Sequence, residues 1–248
     1  MTRKGRVGLN RPMARPSFLS GLTAALIVCA TAAWPQAIQQ VPYETLEQEL
    51  GALIDFENYP KRASPGRALE GTQVFEGARI AERFRGQLVA QEAGFDALLL
   101  APQSPLTLEP GAPGQNLAVE FIFFMSNQLM GIAPPGFPKR NGGGEGAVSI
   151  LFDRDQSALG FRVTAEPEPK TPAPKGWIEV AFYRRDGTLI DTAEVELEWM
   201  LAGYGFRRSD GAEDIAGISI TNRDPQGVMI DDVIFDRDRV VGWLISEP

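Results

Sequence analysis

Carboxylates are the abundant side chains in this sequence that could do acid–base or metal chemistry. The chain has 248 residues, with 32 Asp and Glu, no His and one Cys. Without imidazole there is no Ser-His-Asp or Cys-His catalytic group and no His-ligated zinc or copper. A single thiol forms neither a disulfide framework nor a Cys-rich metal cluster. The acids include three close pairs, which are Asp55 with Glu57, Asp153 with Asp155, and Asp231 with Asp232.

Two carboxylates are sufficient for glycoside hydrolysis when they lie about 5 to 9.5 Å apart. In a chain with 32 acids, however, such neighbours arise easily by chance. Asp153 and Asp155 also flank a predicted turn, where Asp commonly binds the local backbone. A carboxylate-based glycoside hydrolase or lyase is therefore an alternative function, and no individual residue is predicted to be catalytic.

The N-terminus is typical of a secretory signal peptide. A basic segment without acids is followed by an uncharged apolar stretch and small residues, with cleavage predicted after Ala32 or Ala37. An uncleaved membrane anchor is the alternative, but the apolar span is shorter than the roughly 20 residues needed to cross a bilayer. Cys29 follows Val28, which departs from the small residue that a lipoprotein site requires. We expect a secreted or periplasmic protein without stable membrane insertion after cleavage.

Charge argues against nucleic acid as a partner. The whole chain has a net charge of −8, and removal of residues 1–37 leaves 19 basic and 32 acidic residues, a net charge of −13. A nucleic-acid-binding protein needs a basic face for phosphates. The mature chain would contain no Cys, so its own core, or a metal ion, must stabilise it.

The elements that must position these residues are short strands. From residue 52 onward, short apolar or alternating runs are separated by Gly, Pro, Asn and Asp, which predicts an all-β, antiparallel jelly-roll β-sandwich. We expect one domain over residues 53–248, preceded by a partly helical extension over residues 38–52. A helix is predicted over Tyr43–Ala52.

Two hairpins are predicted within this sandwich. Trp177–Tyr183 and Leu189–Glu196 flank a turn that contains Asp-Gly, the dipeptide that favours a tight hairpin. In the first of these strands Ile178, Val180 and Phe182 would share one face. Ala147–Phe152 and Ala158–Thr164 are predicted to pair across a longer polar connection.

The first and last strands carry short motifs that resemble a known class of domain. The sequence reads Leu53-Ile-Asp-Phe-Glu-Asn58 near the start and Val228-Met-Ile-Asp-Asp-Val-Ile-Phe-Asp236 near the end. A Phe-Glu opening and an Asp-Asp-Val-x-Phe closing strand are similar to those of secreted jelly-roll modules, including galactose-binding-like and xylan- or cellulose-binding domains. The resemblance covers roughly Leu53 to Phe235, and it implies a fold more directly than an activity.

This resemblance also implies a structural calcium ion. In several such modules the opening carboxylate and the closing aspartate meet across adjacent strands and bind Ca²⁺. When these ligand positions are transferred to the present sequence, the resemblance implies Glu57 and Asp232 as the two ligands, with Asp231 and Asp55 as further ligands. Ca²⁺ takes six to eight oxygen ligands and needs neither His nor Cys. The alternative is that these acids are solvated, or that they pair with arginines such as Arg62, Arg67 and Arg237.

Aromatic residues supply the second functional prediction. Trp and Tyr rings stack against the apolar faces of sugars, and Trp199, Tyr204 and Trp177 are the candidate ligand-binding residues, with Trp243 as a further one. Ordinary core packing is the alternative for each ring. Together these features predict an exported, non-catalytic binding module for a glycan or cell-surface polysaccharide. A structural or adhesive surface protein without a small ligand is a further alternative.

Overall fold

The computed structural model describes residues 36–122, 125–134, 142–168, 170 and 173–237. The predicted signal sequence through residue 35 and Trp243 lie outside the described residues. Within them the chain forms an antiparallel β-sandwich, which confirms the predicted fold class. No helix in this part of the chain has the length and apolar character needed to cross a membrane.

The described residues form nineteen strands and one helix, α1 (Tyr43–Glu49). The strands are, in chain order, β1 (Ile38–Val41), β2 (Ala52–Ile54), β3 (Arg67–Leu69), β4 (Gln73–Phe75), β5 (Ala78–Ala81), β6 (Arg83–Phe84), β7 (Leu88–Glu92), β8 (Phe95–Leu99), β9 (Leu108–Glu109), β10 (Leu117–Phe121), β11 (Asn127–Ile132), β12 (Gly143–Gly146), β13 (Val148–Gln156), β14 (Ala158–Thr164), β15 (Trp177–Tyr183), β16 (Leu189–Glu196), β17 (Leu201–Arg208), β18 (Ile215–Asn222) and β19 (Met229–Phe235).

Two large sheets face each other. Sheet A has the order β1-β17-β14-β19-β11-β10-β3, with β12 added to β11 and β2 added to β19. Sheet B has the order β16-β15-β18-β13-β5-β4, and the pairs β6–β9 and β7–β8 form two small sheets. From β13 to β19 the chain passes repeatedly from one large sheet to the other, the connectivity expected of a jelly roll.

The core consists of the inward-facing residues of both large sheets. Phe206 on sheet A meets Phe182 on sheet B with ring centroids 5.3 Å apart, and Phe152 meets Phe235 at 5.2 Å. Every second residue of each strand points to the same face, so the apolar half of each alternating run is buried between the sheets. Burial of these rings removes much of their apolar surface from water and stabilises the sandwich.

The first predicted hairpin is confirmed and the second is wrong. β15 pairs with β16, and Gly187 in their turn has the positive φ angle that the Asp-Gly dipeptide favours. β13, by contrast, continues through the predicted polar loop to Gln156 and lies in sheet B, whereas β14 lies in sheet A. Both strands bury an apolar face in the same core, and alternation is the same whether they pair or oppose one another across it.

The segment over residues 38–52 is built into the sandwich. β1 pairs with β17, and α1 packs on the outer face of sheet A through the buried side chains of Tyr43 and Leu46. A side chain at Gly203 would approach Tyr43 to 2.6 Å, so this glycine lets the helix lie close to the sheet. The helix ends at Glu49, earlier than predicted, because the chain becomes extended to enter β2.

The strands that carry the opening and closing motifs are neighbours in sheet A. β2 pairs with β19, with Ile54 opposite Val233 and Ala52 opposite Phe235. The opening motif therefore lies next to the closing motif.

Candidate functional site

A row of polar side chains crosses four neighbouring strands of sheet A. Glu120 lies opposite Gln128, and Asp231 lies opposite Arg162. Leu129 is paired with Ile230, which places Gln128 and Asp231 next to each other as well. Leu129 and Ile230 point into the core, so their alternate neighbours point to the outer face. We call Glu120, Gln128, Asp231 and Arg162 the polar row.

Most of the polar row is buried, although it lies on the face opposite the core. Gln128 is 0%, Asp231 3% and Glu120 9% exposed. The side-chain oxygen of Gln128 and the hydroxyl of Thr164 have no hydrogen-bond partner among the described residues. A buried polar atom without a partner costs stability. Such atoms destabilise the fold unless water or a ligand satisfies them.

Asp231 is the most perturbed acid of the polar row. Its side chain accepts a hydrogen bond from the Ser126 hydroxyl and another, at 2.9 Å, from the backbone N–H of Asp232. Burial raises the pKa of Asp231 to about 6, and repulsion from Asp232 and Glu57 adds to this effect. The carboxyl group consequently titrates within the ordinary working pH range of proteins.

Arg162 interacts with α1 and with Asp232, the neighbour of Asp231 on β19. Its guanidinium lies 3.2 Å from the Glu47 carboxylate and 3.5 Å from that of Asp232, and it covers the Tyr43 ring at 4.9 Å. Burial raises the pKa of the Tyr43 hydroxyl to about 12. Arg162 thus fixes α1 to the sheet, and within the described residues Asp231 has no strong cationic partner.

Two adjoining hollows open on the outer face of sheet A, next to the polar row. Their volumes are about 190 and 120 Å³, and both are lined by Gly143, Gln226 and Met229. Together we call them the sheet-face cleft. Its other main lining residues are Ser64, Pro65, Glu120, Met130 and Ile132 in the first hollow and Ile122, Thr164 and Glu166 in the second. The cleft combines carboxylate, amide and hydroxyl groups with apolar Met, Ile and Pro surfaces.

The four predicted metal ligands lie in the same region of the fold. The pairing of Ile54 with Val233 places Asp55 beside Asp232. Burial raises the pKa of Asp232, and repulsion from Asp55 and Glu57 contributes to the rise, while Arg162 opposes it. Asp232 has a positive φ angle of 45°, so this part of β19 departs from regular strand geometry next to the acids.

The oxygen atoms of this region suit a hard cation chemically. One Glu57 carboxylate oxygen accepts the backbone N–H of Asn127 at 2.7 Å, and the buried side-chain oxygen of Asn127 has no partner among the described residues. Carboxylate and amide oxygens are the ligands that Ca²⁺ prefers. In the part of the chain that the structure describes, no three acids, Cys or His are grouped closely enough to hold a metal ion as they stand.

Two of the predicted aromatic platforms are occupied by contacts within the protein. Tyr204 is 4% exposed, belongs to the core, and its hydroxyl accepts the backbone N–H of Glu198 at 2.8 Å. Its burial argues against the predicted ligand-binding role. Trp177 is half-buried, and the Arg223 guanidinium lies 5.6 Å from its ring centre.

Trp199 lies in a turn that is hydrogen-bonded to residues of the sheet-face cleft. Its ring is half-buried, in the turn that follows β16. The next residue, Met200, exchanges backbone hydrogen bonds with Ala165 and Glu166, which line the second hollow. The turn that holds Trp199 is therefore attached to the wall of the sheet-face cleft.

Asp153 and Asp155 each form an ion pair within the fold. Asp153 binds Arg79 at 3.0 Å, and Asp155 binds the Arg185 guanidinium, whose Nη1 also donates to the Phe152 carbonyl. These contacts tie β13 to its neighbours and to the turn between β15 and β16.

Sequence reasoning missed Glu120, Gln128 and Thr164. Glu120 interrupts an apolar run, which is the one local signal that could have identified it. Gln128 lies in a segment for which no strand was predicted, so its outward direction could not be assigned. Comparison with protein-family models, curated proteins and solved structures gave no match for this chain, so the assignment of the site depends on its geometry.

Proposed function

We propose that this protein is an exported, non-catalytic carbohydrate-binding module that holds a glycan in the sheet-face cleft. The observation that carries this proposal is the cleft itself, where the Glu120 carboxylate and the Gln226 amide lie among the apolar side chains of Met130, Ile132 and Met229. Sugars present many hydroxyl groups next to apolar C–H surfaces. A cleft with a few oriented polar groups between apolar walls suits such a ligand.

Different residues of the cleft would supply different kinds of contact with the glycan. Glu120 and the exposed amide of Gln226 offer hydrogen bonds to hydroxyl groups, and Met229 offers an apolar surface between them. Trp199 would extend this surface at the edge of the cleft by stacking on a sugar ring. The acidic surroundings favour neutral or basic glycans over polyanionic ones, since like charges repel.

Glycan-array screening followed by calorimetry with the best ligand tests this proposal. We expect Trp199→Ala and Gln226→Ala each to weaken binding about 10-fold, because each removes one stacking surface or one hydrogen-bonding group. Trp177→Ala is the matched control and should leave affinity unchanged, since that ring contacts Arg223 instead. Equal losses in Trp199→Ala and Trp177→Ala, or no glycan binding at all, would contradict the proposal, and self-association without glycan binding would favour an adhesive protein.

We also propose a structural Ca²⁺ ion held by Glu57 and Asp232, with Asp231 and Asp55 completing the carboxylate set. Two features support it: the mutual repulsion of these acids, which a divalent cation would relieve, and the unpartnered Asn127 oxygen beside Glu57. The ion would connect the opening and closing strands of a domain that lacks Cys after signal cleavage.

Thermal unfolding with and without chelator tests the calcium proposal. We expect Ca²⁺ at about 100 times its dissociation constant to add about 2.7 kcal/mol, which raises Tm by about 5–10 °C. Glu57→Gln should abolish this shift, whereas Glu194→Gln, an exposed charge on β16, should retain it. A Tm that does not respond to Ca²⁺ or EDTA would refute the site.

A further inference from the structure

A cavity of about 310 Å³ lies beneath the hairpin of β7 and β8. We call it the hairpin cleft. Its lining includes Glu82, Arg83, Leu88, Val89, Gln91 and Asp96. It shares no lining residue with the sheet-face cleft. Its volume is at the lower end of the range for small-molecule sites, which is roughly 300–1,000 Å³.

Two buried carboxylates belong to the wall of this cavity. Glu82 is 6% and Asp96 1% exposed, and burial raises the pKa of both. Asp96 accepts hydrogen bonds from the Ala147 backbone N–H at 3.0 Å and from the Gln91 amide. Carboxylates in such a position lose hydration, and a cationic group that enters the cavity would restore favourable interactions.

The local cations are shared among more acids than they can neutralise. The Arg83 guanidinium pairs with both Glu82 and Glu109. Arg223 lies on the other side of the hairpin, where it pairs with Glu92 and donates to the Asp96 backbone carbonyl instead of its carboxylate. The cavity therefore has an excess of negative charge, which attracts cations and repels anions.

The β7–β8 hairpin, which contributes several lining residues to the cavity, is held in place by defined contacts. Asp96 ties β8 to the segment before β13, and the Arg223 guanidinium lies 5.5 Å from the Phe95 ring centre. Leu88 and Val89 provide apolar surface next to the acids. A cavity of this kind exists before a ligand arrives, so binding needs little ordering of the protein.

We infer that the hairpin cleft binds a small ligand with a primary ammonium group on a compact, hydroxyl-bearing body, the chemistry of an amino sugar. The ammonium group would pair with Glu82 and Asp96. The side chains of Gln91 and Gln115, both exposed and part of the lining, would bind hydroxyl groups. Leu88 and Val89 would contact the C–H surface of the ligand. This inference does not depend on glycan binding in the sheet-face cleft.

A titration followed by NMR, with D-glucosamine and D-glucose as probes, tests the inference. We expect glucosamine to bind at least about 10-fold more tightly than glucose, since only the amine forms charge-assisted hydrogen bonds. The largest shift changes should map to Glu82 and β7–β8. Glu82→Gln should weaken glucosamine binding about 10-fold, and Glu194→Gln, which removes the same charge from an exposed site on β16, should not change it.

Three results would overturn the inference. They are equal affinities for glucosamine and glucose, shift changes that map to the sheet-face cleft, and binding of Nα-acetyl-lysine amide as tight as that of glucosamine. Asp96→Asn retains an acceptor for the Ala147 N–H and serves as a second variant, expected to weaken glucosamine as Glu82→Gln does. Gln226→Ala separates the two proposals, because it should weaken polysaccharide binding and leave glucosamine binding intact.

Discussion

Asp231→Asn is expected to stabilise the protein at pH 7 by about 3 kcal/mol in calcium-free buffer. Burial raises the folded-state pKa of Asp231 to about 6, from an ordinary value near 3.8. An ionised carboxylate at this position therefore costs the fold about 1.4 kcal/mol for each pH unit between the two values. Asparagine has nearly the same shape and carries no charge.

The same pKa difference predicts how stability depends on pH. Between about pH 4 and pH 6 the folded wild-type protein binds the Asp231 proton and the unfolded chain releases it. The contribution of this group to stability is thus greatest below pH 4, falls as pH rises, and is lost above pH 6. Asp231→Asn should remove this fall, so the two proteins should be closest in stability near pH 4.

Both hydrogen bonds of Asp231 can be kept by the amide. Its oxygen can accept the Asp232 N–H, and its nitrogen can donate to the Ser126 hydroxyl oxygen. Urea unfolding at pH 4, 5, 6 and 7 in EDTA measures the effect, with Glu194→Gln as the control for loss of one exposed acid. A variant less stable than wild type at pH 7 in EDTA would contradict the prediction. If Asp231 is a ligand of the proposed Ca²⁺ ion, the order should reverse with Ca²⁺ present, because such an ion needs the ionised carboxylate.

Gly131→Ala is expected to destabilise the protein by about 3 kcal/mol or more. A Cβ atom at Gly131 would lie 2.3 Å from the carbonyl oxygen of Gly146 and 2.4 Å from its carbon. These contacts are to backbone, so β11 and β12 would have to separate at the irregular register between Gly131 and Ile132. The change would also move Met130 and Ile132, which line the sheet-face cleft.

Gly51→Ala is the matched control, because no atom lies within 4 Å of its added Cβ. We expect that variant to stay within about 0.5 kcal/mol of wild type. Urea unfolding of both variants, together with soluble yield, measures the contrast. Similar free energies of unfolding for the two variants would show that β12 can move away from β11 at little cost.

This close approach was not foreseen from sequence. The glycine-rich segment Gly143–Gly146 has the composition of a flexible connection, yet it forms β12 against β11. Glycine indicates both a flexible loop and a close contact between backbones, and composition does not distinguish them. Only the neighbouring strand shows which of the two applies.

Local patterns determined what depends on a few consecutive residues. Alternation identified β15 and its core face of Ile178, Val180 and Phe182, and the Asp-Gly dipeptide identified the turn into β16. The absence of His and the single Cys likewise excluded His-dependent catalytic groups and left oxygen atoms as the metal ligands on offer. These conclusions hold because side-chain direction in a strand and turn preference are set locally.

The tertiary structure alone decided the polar row and the hairpin cleft. Glu120 and Gln128 lie on the consecutive strands β10 and β11, but Arg162 on β14 and Asp231 on β19 come from distant parts of the sequence, and Glu82 and Asp96 line the same cavity. It also showed Tyr204 to be a core residue. Alternation tells which residues share a face of one strand, but not which strands are neighbours or in what register. That choice depends on burial of both sheets at once, and so the sites appear only in the folded chain.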